Sequence, residues 1–277
     1  MSNISEAMRR LLRQARFEIL PTTTIEDRVL ASVPRDTTVT VTASPVKPLE
    51  VTLSTAERLR GAGYRVVPHL AARMVHGRSE LREIVERLAG AGIDAIFVPG
   101  GDATPDQGCY QSSVDLLDDL ATMDHPFTTI GVTGYPESHP TIDDDVTIQA
   151  MWDKRRHATQ IVSNMTFDAA GTAKWVARVR KRGVGIPIVI GLPGPVERTK
   201  LLTMGTKVGV GESLRFLTKQ KGVFARIAAP GYSPEGFVRR IARVAADPTM
   251  KVEGLHLFTF NQVAETQAWR ERLLADS

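Results

Sequence analysis

Short apolar runs alternate with segments of helical periodicity along almost the whole chain. Each run carries hydrophobic residues at consecutive positions, as in Ala95-Ile96-Phe97-Val98. This pattern is typical of parallel strands buried on both faces, because half-exposed antiparallel strands alternate apolar and polar residues instead. Eight runs predict strands, at residues 16–20, 38–42, 65–70, 95–99, 127–133, 159–163, 187–191 and 254–260.

Segments with the helical period separate these strands. They lie at residues 24–31, 54–62, 79–89, 112–123, 148–156, 169–182, 196–203 with a second piece at 212–219, 234–246 and 261–274. A further segment at residues 4–15, with Ile4, Met8, Leu11 and Leu12 on one face, predicts an N-terminal helix that caps one end of the fold.

Eight strands that are each followed by a helix predict an α/β fold of the (β/α)8 type, the TIM barrel, for which a length of about 250 residues is typical. A doubly wound open sheet is the alternative. No repeat, linker or change of composition divides the chain of 277 residues. Residues 1–277 are therefore predicted to form a single barrel domain, in which residues 1–15 are the capping helix.

Composition narrows the class of protein. Apolar residues make up 42% of the chain and charged residues 24%, as in ordinary soluble globular proteins. The net charge of +4 comes without an arginine run interleaved with aromatic residues, which argues against a nucleic acid partner. Cys109 is the single cysteine, which excludes internal disulfides. With no apolar leader and no segment long enough to span a membrane, we expect a cytoplasmic protein.

Polar residues at the predicted strand ends are the candidate chemistry, because (β/α)8 barrels bind ligands at the carboxyl ends of their strands. Glu18 lies inside the apolar run of the first strand. A buried carboxylate needs a partner or a raised pKa. Glu18 is therefore either a general acid or an interior glutamate paired with a lysine or arginine. His69, at the end of the third strand, is either a ligand contact or a structural histidine.

Three further strand ends carry polar groups. Gly101 and Asp102 follow the fourth strand, where glycine lets the backbone approach a ligand closely, although Asp102 alternatively only starts a turn before a proline. Gln160 lies in an otherwise apolar strand and needs a partner, either the edge of a heteroaromatic ring or a backbone group. Asn261, after the eighth strand, alternatively serves as the N-cap of the last helix.

The stiffest strand end is residues 131–140, which read Gly-Val-Thr-Gly-Tyr-Pro-Glu-Ser-His-Pro. Two prolines and two glycines exclude regular structure beyond the strand, where Tyr135, Glu137 and His139 lie. Trp152, in the following helix, either packs or covers a ligand. A Gly-x-Gly at residues 209–211 lacks the third glycine and the preceding strand of a dinucleotide-binding fingerprint, so it is a weak signal.

Seven of these pieces, in this order, resemble the methylenetetrahydrofolate reductase family. The family's Phe-Glu-Phe-x-Pro-Pro on the first strand corresponds to residues 17–21, and its Tyr-Pro-Glu-x-His-Pro after the fifth strand is matched in full at residues 135–140. The other matches are Val-Thr at 41–42, Pro-His-Leu at 68–70, Gly-Gly-Asp for the family's Arg-Gly-Asp at 100–102, Thr-Gln at 159–160 and Phe-Thr-Phe-Asn at 258–261.

The resemblance implies a (β/α)8 enzyme that reduces methylenetetrahydrofolate to methyltetrahydrofolate and so supplies methyl groups for methionine. In the family, NAD(P)H usually reduces a bound FAD, and the flavin then reduces the folate. By resemblance, Glu18 is the general acid that helps open the folate ring to its iminium, Asp102 contacts the pterin and Gln160 bonds the pterin edge. The implied cofactor contacts are Thr42, His69, Gly101, Tyr135, His139 and Lys154, and the implied substrate contacts are Met204, Phe260, Asn261 and Gln262.

The departures from the family pattern fall on the flavin side. Gly100 stands where the family has an arginine, and the chain between Tyr135 and Gln160 is several residues shorter. We therefore hypothesise that hydride passes directly from NADH to the folate, with NADPH as the other donor to test and FAD bound poorly or not at all. The alternatives are an oxidoreductase of the same barrel acting on another folate or deazaflavin-type substrate, and a non-catalytic barrel that binds a folate or a partner protein.

Overall fold

The computed structural model describes residues 3–101, 109–137, 144–195 and 233–277. These ranges contain eight strands, each within a few residues of its predicted position. They are β1 (Arg16–Ile19), β2 (Thr38–Val41), β3 (Arg65–Pro68), β4 (Ala95–Phe97), β5 (Thr129–Gly134), β6 (Gln160–Ser163), β7 (Ile188–Pro193) and β8 (Val252–Phe258).

All neighbouring strands pair in parallel, in the order β3-β2-β1-β8-β7-β6-β5-β4. The two ends of this order meet through a parallel bridge between His69 and Phe97, where the Leu70 N–H donates to the Phe97 carbonyl at 2.8 Å. The strands therefore follow one another around a ring, and β8 returns to β1. The predicted (β/α)8 barrel is confirmed, and the open doubly wound sheet is wrong, because such a sheet would leave two free edges.

The described residues contain nine α-helices. They are α1 (Asn3–Arg13), α2 (Ile25–Ser32), α3 (Leu49–Gly61), α4 (Arg78–Gly90), α5 (Ser113–Leu120), α6 (Asp144–Lys154), α7 (Ala169–Lys181), α8 (Pro234–Ala245) and α9 (Val263–Ala275). Short 3-10 helices follow β3 at Ala72–Met74 and precede β8 at Pro248–Met250. Of these α-helices, none is both long and apolar enough to cross a membrane.

Three helices begin at positions that the sequence pattern placed differently, and one of them is α6, which starts at Asp144, four residues before its predicted start. Helix α3 starts at Leu49, five residues before its predicted start, because Pro48 holds the extended conformation that precedes a first turn. Helix α9 starts at Val263, two residues late, because Phe260 and Asn261 have positive φ angles of 49° and 62°. The predicted helical pieces at 196–203 and 212–219 lie outside the described residues.

The N-terminal helix is confirmed. It buries Met8, Leu11 and Leu12, and Arg10 donates through Nη2 to the carbonyls of Ala245 at 2.7 Å and Val252 at 3.3 Å. Since Val252 is the first residue of β8, helix α1 lies at the amino ends of the strands. It therefore leaves the carboxyl ends, where barrels bind ligands, uncovered.

Close packing also fixes the walls of the barrel. Trp175 and Trp269 are buried at 1% and 5% exposure. A β-carbon added to Gly134 would lie 2.7 Å from Cζ2 of Trp175, closer than any carbon contact allows. Gly134 is therefore required by the indole behind it. Trp152 is partly buried against the core and stacks on Arg155, with the guanidinium carbon 3.5 Å from the ring centroid, so it packs.

Candidate active site

Glu18, His69 and His256 meet inside the barrel, contributed by β1, the residue after β3, and β8. Oε2 of Glu18 lies 2.7 Å from Nε2 of His256 and 3.9 Å from Nε2 of His69. The two imidazole rings lie 6.3 Å apart and 30° from parallel. The Glu18 side chain is 12% exposed and the His256 side chain 3%. The barrel therefore presents one carboxylate, still reached by solvent, with two imidazoles behind it.

The imidazoles determine the charge of this carboxylate. Burial alone raises the pKa of the Glu18 carboxyl, but the hydrogen bond with His256 and the proximity of His256 and His69 outweigh it, so the pKa lies below its ordinary value. Burial lowers the pKa of His69 to about 4, although the nearby Glu18 opposes that shift. His69 is therefore a neutral ring at neutral pH, and Glu18 is a carboxylate held by hydrogen bonding to His256.

The tautomer of His256 follows from its hydrogen bond with Glu18. An ionised Glu18 only accepts hydrogen bonds, so Nε2 of His256 carries the hydrogen and donates it. Nδ1 of His256 is buried and has no partner among the described residues. In this tautomer Nδ1 is an unpaired acceptor, which is better tolerated than an unpaired buried N–H. Glu18 and His256 thus form one hydrogen-bonded unit.

The same three side chains also satisfy the spacing of a metal site, with donor atoms within 4.8 Å of one another. A histidine that binds a metal through Nε2 must carry its proton on Nδ1 and normally donates it to an acceptor. For His256 no such acceptor exists within the described ranges. The residues consequently fit a hydrogen-bonded Glu18–His256 pair beside the His69 ring better than a metal centre.

Threonines at the neighbouring strand ends hold Glu18 from both sides. Thr259 donates through Oγ1 to the Glu18 carbonyl at 2.6 Å, and the Thr42 N–H donates to the Ile19 carbonyl at 3.0 Å. The Thr42 hydroxyl lies near enough to favour the charged form of Glu18 and so lower its pKa, although Oγ1 has no partner at hydrogen-bonding geometry. Thr42, one of the predicted cofactor contacts, therefore lies beside the Glu18 carboxylate with its hydroxyl buried.

Gln160 begins β6 on the opposite wall. Its side chain is buried at 6% exposure, and Oε1 accepts a hydrogen bond of 2.6 Å from Nη2 of Arg16. Its Nε2 is fully buried and has no partner among the described residues. The sequence predicted a hydrogen-bond partner for this buried amide. In the structure that partner is neither a heteroaromatic ring nor a backbone group, but Arg16 on β1.

The end of β4 supplies a glycine that no other residue could replace. Gly101 has φ +84°, and an added β-carbon would lie 2.9 Å from Cβ of Ala71. Its carbonyl accepts a hydrogen bond of 3.3 Å from Nη1 of Arg73. Gly101 therefore has a backbone conformation and a close contact with Ala71 that a side chain would disturb. Asp102, predicted to contact the pterin, lies outside the described residues, as do His139 and Met204.

At the end of β8, Asn261 ties two strands together. Its Oδ1 accepts from the Leu20 N–H at 2.8 Å, and its Nδ2 donates to the Leu20 carbonyl at 2.9 Å and to Oγ1 of Thr22 at 3.2 Å. Asn261 is not the N-cap of α9, since Gln262 occupies that position. Phe260 and Gln262 are buried beside it, and Nε2 of Gln262 has no described partner. Contacts between these residues and a substrate stay a prediction.

Glu137, in the segment that follows β5, turns its carboxylate away from the opening. Oε1 accepts hydrogen bonds from the N–H groups of Phe167 at 2.6 Å and Asp168 at 2.8 Å, and from Oγ1 of Thr166 at 2.8 Å. These donors lie just before α7, so Glu137 joins the loop after β5 to the loop after β6. Tyr135, which directly follows β5, is half-buried.

Lys154 ends α6 and is half-buried. Burial lowers the pKa of its ammonium group to about 8, although Asp153 opposes the shift. Cationic side chains next to it are already engaged, since Arg156 bonds Asp118 at 2.7 Å. Lys154 is thus a partly desolvated amine at the end of α6, where its carbonyl accepts a hydrogen bond from the Ala158 N–H just before β6 begins.

Sequence reasoning missed His256, Arg16 and Glu137 as determinants of the site. His256 could have been found, because it interrupts an apolar strand in the same way as Glu18. Arg16 precedes Glu18 by two residues, and alternation along a strand places both on the same face. The role of Glu137 had no sequence signal, because its partners are backbone groups about thirty positions later.

The chain is similar in sequence to a known protein from yeast. The chain is 30% identical to methylenetetrahydrofolate reductase 2 of Saccharomyces cerevisiae over 125 residues, which cover 41% of this chain and 21% of the yeast protein. The chain thus spans about a fifth of the length of that relative.

Solved structures agree on the fold alone. A 2,3-dimethylmalate lyase of the PEP mutase/isocitrate lyase superfamily aligns with a TM-score of 0.54 at 12% identity, covering 100% of this chain and 87% of that one. An oxaloacetate acetylhydrolase aligns with a TM-score of 0.53 at 12% identity, covering 98% and 85%.

The family model described as methylenetetrahydrofolate reductase matches residues 23–273. This range extends from the loop after β1 into α9 and so includes seven of the eight strands. The chain therefore belongs to the methylenetetrahydrofolate reductase family.

Proposed function

We propose that this protein reduces 5,10-methylenetetrahydrofolate to 5-methyltetrahydrofolate with a hydride taken directly from NADH or NADPH. The observation that carries the proposal is the Glu18–His256 pair. Once this pair has bound a proton, it can deliver that proton inside a barrel whose family acts on this folate. The proton is needed because the methylene carbon must become an iminium before it accepts a hydride.

The reaction adds one proton and one hydride to the folate. Protonation of N10 of the folate breaks the bond between N10 and the methylene carbon, which leaves a cationic iminium on N5. Hydride from C4 of the nicotinamide then forms the third C–H bond of the methyl group, so the nicotinamide is oxidised and the folate reduced. Glu18 gives the proton to N10 as the general acid, and His256 holds the carboxyl group in position and shares its proton.

The remaining residues of the opening would orient the two reactants. Hydride transfer requires the donor and acceptor carbons to be stacked in contact, so positioning contributes most of the rate enhancement. In this proposal Gln160 bonds the pterin, and the half-buried Tyr135 lies at the edge of the nicotinamide. The neutral His69 ring forms the wall behind Glu18.

The side chains assigned to a flavin by resemblance match its diphosphate poorly. Among the described ones, Lys154 alone bears an ammonium group, and burial lowers its pKa to about 8. His69 is neutral, and Gly100 replaces the family's arginine. A diphosphate needs fixed positive charge or free backbone N–H groups. This mismatch supports hydride transfer without flavin.

The experiment is NADH oxidation by the purified protein with methylenetetrahydrofolate, with and without added FAD, together with its visible spectrum. We expect folate-dependent oxidation that FAD does not increase, and no flavin absorption bands. No folate-dependent oxidation with NADH or NADPH, in either condition, would contradict the reductase proposal. Flavin bands near full occupancy would contradict the flavin-free route alone.

Deuterium at C4 of NADH gives a second readout of the route. A hydride that passes through a flavin rests on a nitrogen whose hydrogen exchanges with water, whereas direct transfer keeps the label on carbon. We expect the methyl group of the product to contain nearly one deuterium per turnover of stereospecifically labelled NADH. Loss of the label to solvent would point to an exchanging carrier.

A further inference from the structure

Arg16 and Gln160 form a contact that the reaction scheme does not require. Arg16 starts β1, two residues before Glu18, and both residues lie on the face opposite the buried Phe17 and Ile19. Its guanidinium reaches across the barrel to Oε1 of Gln160 at 2.6 Å, over a sequence separation of 144 residues. The contact therefore joins two walls of the barrel beneath the candidate active site.

This contact decides which end of the amide is presented. The oxygen and nitrogen ends of a glutamine side chain have nearly the same shape, so packing alone does not orient them. A guanidinium has only donors and must face the oxygen. Nε2 of Gln160 is consequently fixed as the opposite end of the amide, where it is buried and has no described partner.

The free Nε2 lies on the same side of the barrel interior as the Glu18 cluster. It is 3.5 Å from the position that a β-carbon on Gly131 would occupy, and Cδ2 of Phe97 is 3.1 Å from the same position. The Phe97 ring contacts His69 edge-on, at 4.7 Å between centroids, and His69 lies beside Glu18. Because Gly131 has no side chain, the amide nitrogen and the Phe97 ring, which contacts His69, lie close to one another in the interior.

Holding Arg16 in this position is costly, which argues against an incidental contact. Burial and the nearby Arg65 lower the pKa of Arg16 to about 10, with only Glu253 opposing. A buried guanidinium is normally matched by a carboxylate. Here its partner in the barrel is a neutral amide, which gains a fixed orientation from the contact.

We propose that Arg16 is a positioning residue that locks the Gln160 amide with its NH2 group toward the ligand. The site then selects a heterocycle that presents a hydrogen-bond acceptor, a carbonyl oxygen or an unprotonated ring nitrogen, at that point. This inference rests on the proposed folate substrate and adds the residue that gives the site its donor character. Arg16 acts through Gln160 and touches no reacting atom.

The test compares Arg16→Met with Arg16→Lys, and uses Arg65→Met as a matched control. Methionine removes the donor and frees the amide to rotate, so we expect the KM for methylenetetrahydrofolate to rise about tenfold, while kcat and the KM for NADH stay within about twofold. Lysine keeps a donor for Oε1 and should restore most of the affinity. Arg65→Met removes an equal charge nearby without touching Gln160 and should leave the folate KM unchanged.

Gln160→Glu gives an independent measurement if Arg16→Met does not fold. The carboxylate keeps its bond with Arg16, so the melting temperature should not fall, but the free end becomes an acceptor. We expect affinity for the product 5-methyltetrahydrofolate, measured by calorimetry without NADH, to fall at least tenfold. Wild-type affinity in Gln160→Glu, or an unchanged folate KM in a folded Arg16→Met, would overturn the inference.

The calorimetric arm separates this inference from the proposed function. A wild-type protein that binds no 5-methyltetrahydrofolate and oxidises no NADH contradicts the folate substrate itself. A wild-type protein that does both, with variants that bind equally well, contradicts only the role of Arg16.

Discussion

Two half-buried glutamates at the carboxyl-end side of the barrel, Glu18 and Glu137, have opposite surroundings. Glu18 faces two imidazoles, with His256 at 2.7 Å. Glu137 faces two peptide N–H groups and the hydroxyl of Thr166, all within 2.8 Å of one oxygen. Both glutamates lie in segments that resemble motifs of the methylenetetrahydrofolate reductase family, and both lie near strand ends.

The difference shows that the hydrogen-bond partner of a strand-end carboxylate decides whether that carboxylate can transfer protons or only holds the structure together. Peptide N–H groups do not release a proton under physiological conditions, so they fix Glu137 as an acceptor that joins two loops. Glu18 is instead hydrogen-bonded to an imidazole, a side chain that can itself carry a proton, so this pair can pass a proton on. Solvent also reaches the Glu18 carboxylate, which is 12% exposed.

The largest expected effect tests Glu18 as the acid. Glu18→Gln keeps an oxygen for the His256 hydrogen bond but removes the transferable proton. We expect kcat/KM to fall by about 10² to 10⁴, with little change in melting temperature or in affinity for 5-methyltetrahydrofolate. Glu86→Gln, the same change at an exposed position of α4, is the control. A Glu18→Gln variant within threefold of the wild-type rate would remove Glu18 from the mechanism.

The second prediction tests Glu137 as structure. Glu137→Leu leaves the N–H groups of Phe167 and Asp168 without acceptors, and each unsatisfied, partly buried group costs about 1–3 kcal/mol. We expect the free energy of unfolding in urea to fall by about 2–3 kcal/mol. Glu137→Gln retains an oxygen in the same place and should lose less than about 1 kcal/mol. Equal losses in both variants would show that charge, not hydrogen bonding, holds the loops.

The third prediction concerns pH. His256 keeps the pKa of Glu18 below its ordinary value, so the acid form required for catalysis becomes scarcer as pH rises. We expect kcat/KM to decline about tenfold per pH unit through the neutral range. His256→Phe removes the hydrogen bond that lowers this pKa, so the decline should start at higher pH. His256→Gln retains a donor and should keep the wild-type profile.

The pH profile has a clear contrary result. A profile that is flat from acidic to alkaline pH in the wild type would mean that no proton transfer limits the reaction. An unchanged profile in His256→Phe would mean that His256 does not set the acidity of Glu18.

The smallest expected effect refines the role of Glu137. Thr166→Val removes one of the three hydrogen-bond donors to the Glu137 carboxylate. The two hydrogen bonds from the peptide N–H groups stay intact. We expect a loss of about 1 kcal/mol in unfolding free energy, clearly less than in Glu137→Leu. Thr166→Ser keeps the hydroxyl and is the control. A loss as large as that of Glu137→Leu would assign the stability to the Thr166–Thr172 contact instead.

The barrel was predictable because its signal is local. Consecutive apolar residues mark strands buried on both faces, and all eight strands lie where these runs lie. The exceptions are helix starts, where backbone conformation overrides residue preference. Helix α9 begins late because Phe260 and Asn261 adopt positive φ, a conformation that is strained for a phenylalanine and that the surrounding contacts impose.

The sequence by itself determined which residue types lie at the strand ends, including Glu18 and Gln160, because alternation along a strand fixes which side chains point into the barrel. Only the tertiary structure decided their partners. His256 is 238 residues from Glu18, and Arg16 is 144 residues from Gln160. Such contacts depend on the order and register of strands around the closed ring. That is why the acid, the oriented amide and the structural glutamate could be told apart only once the barrel had closed.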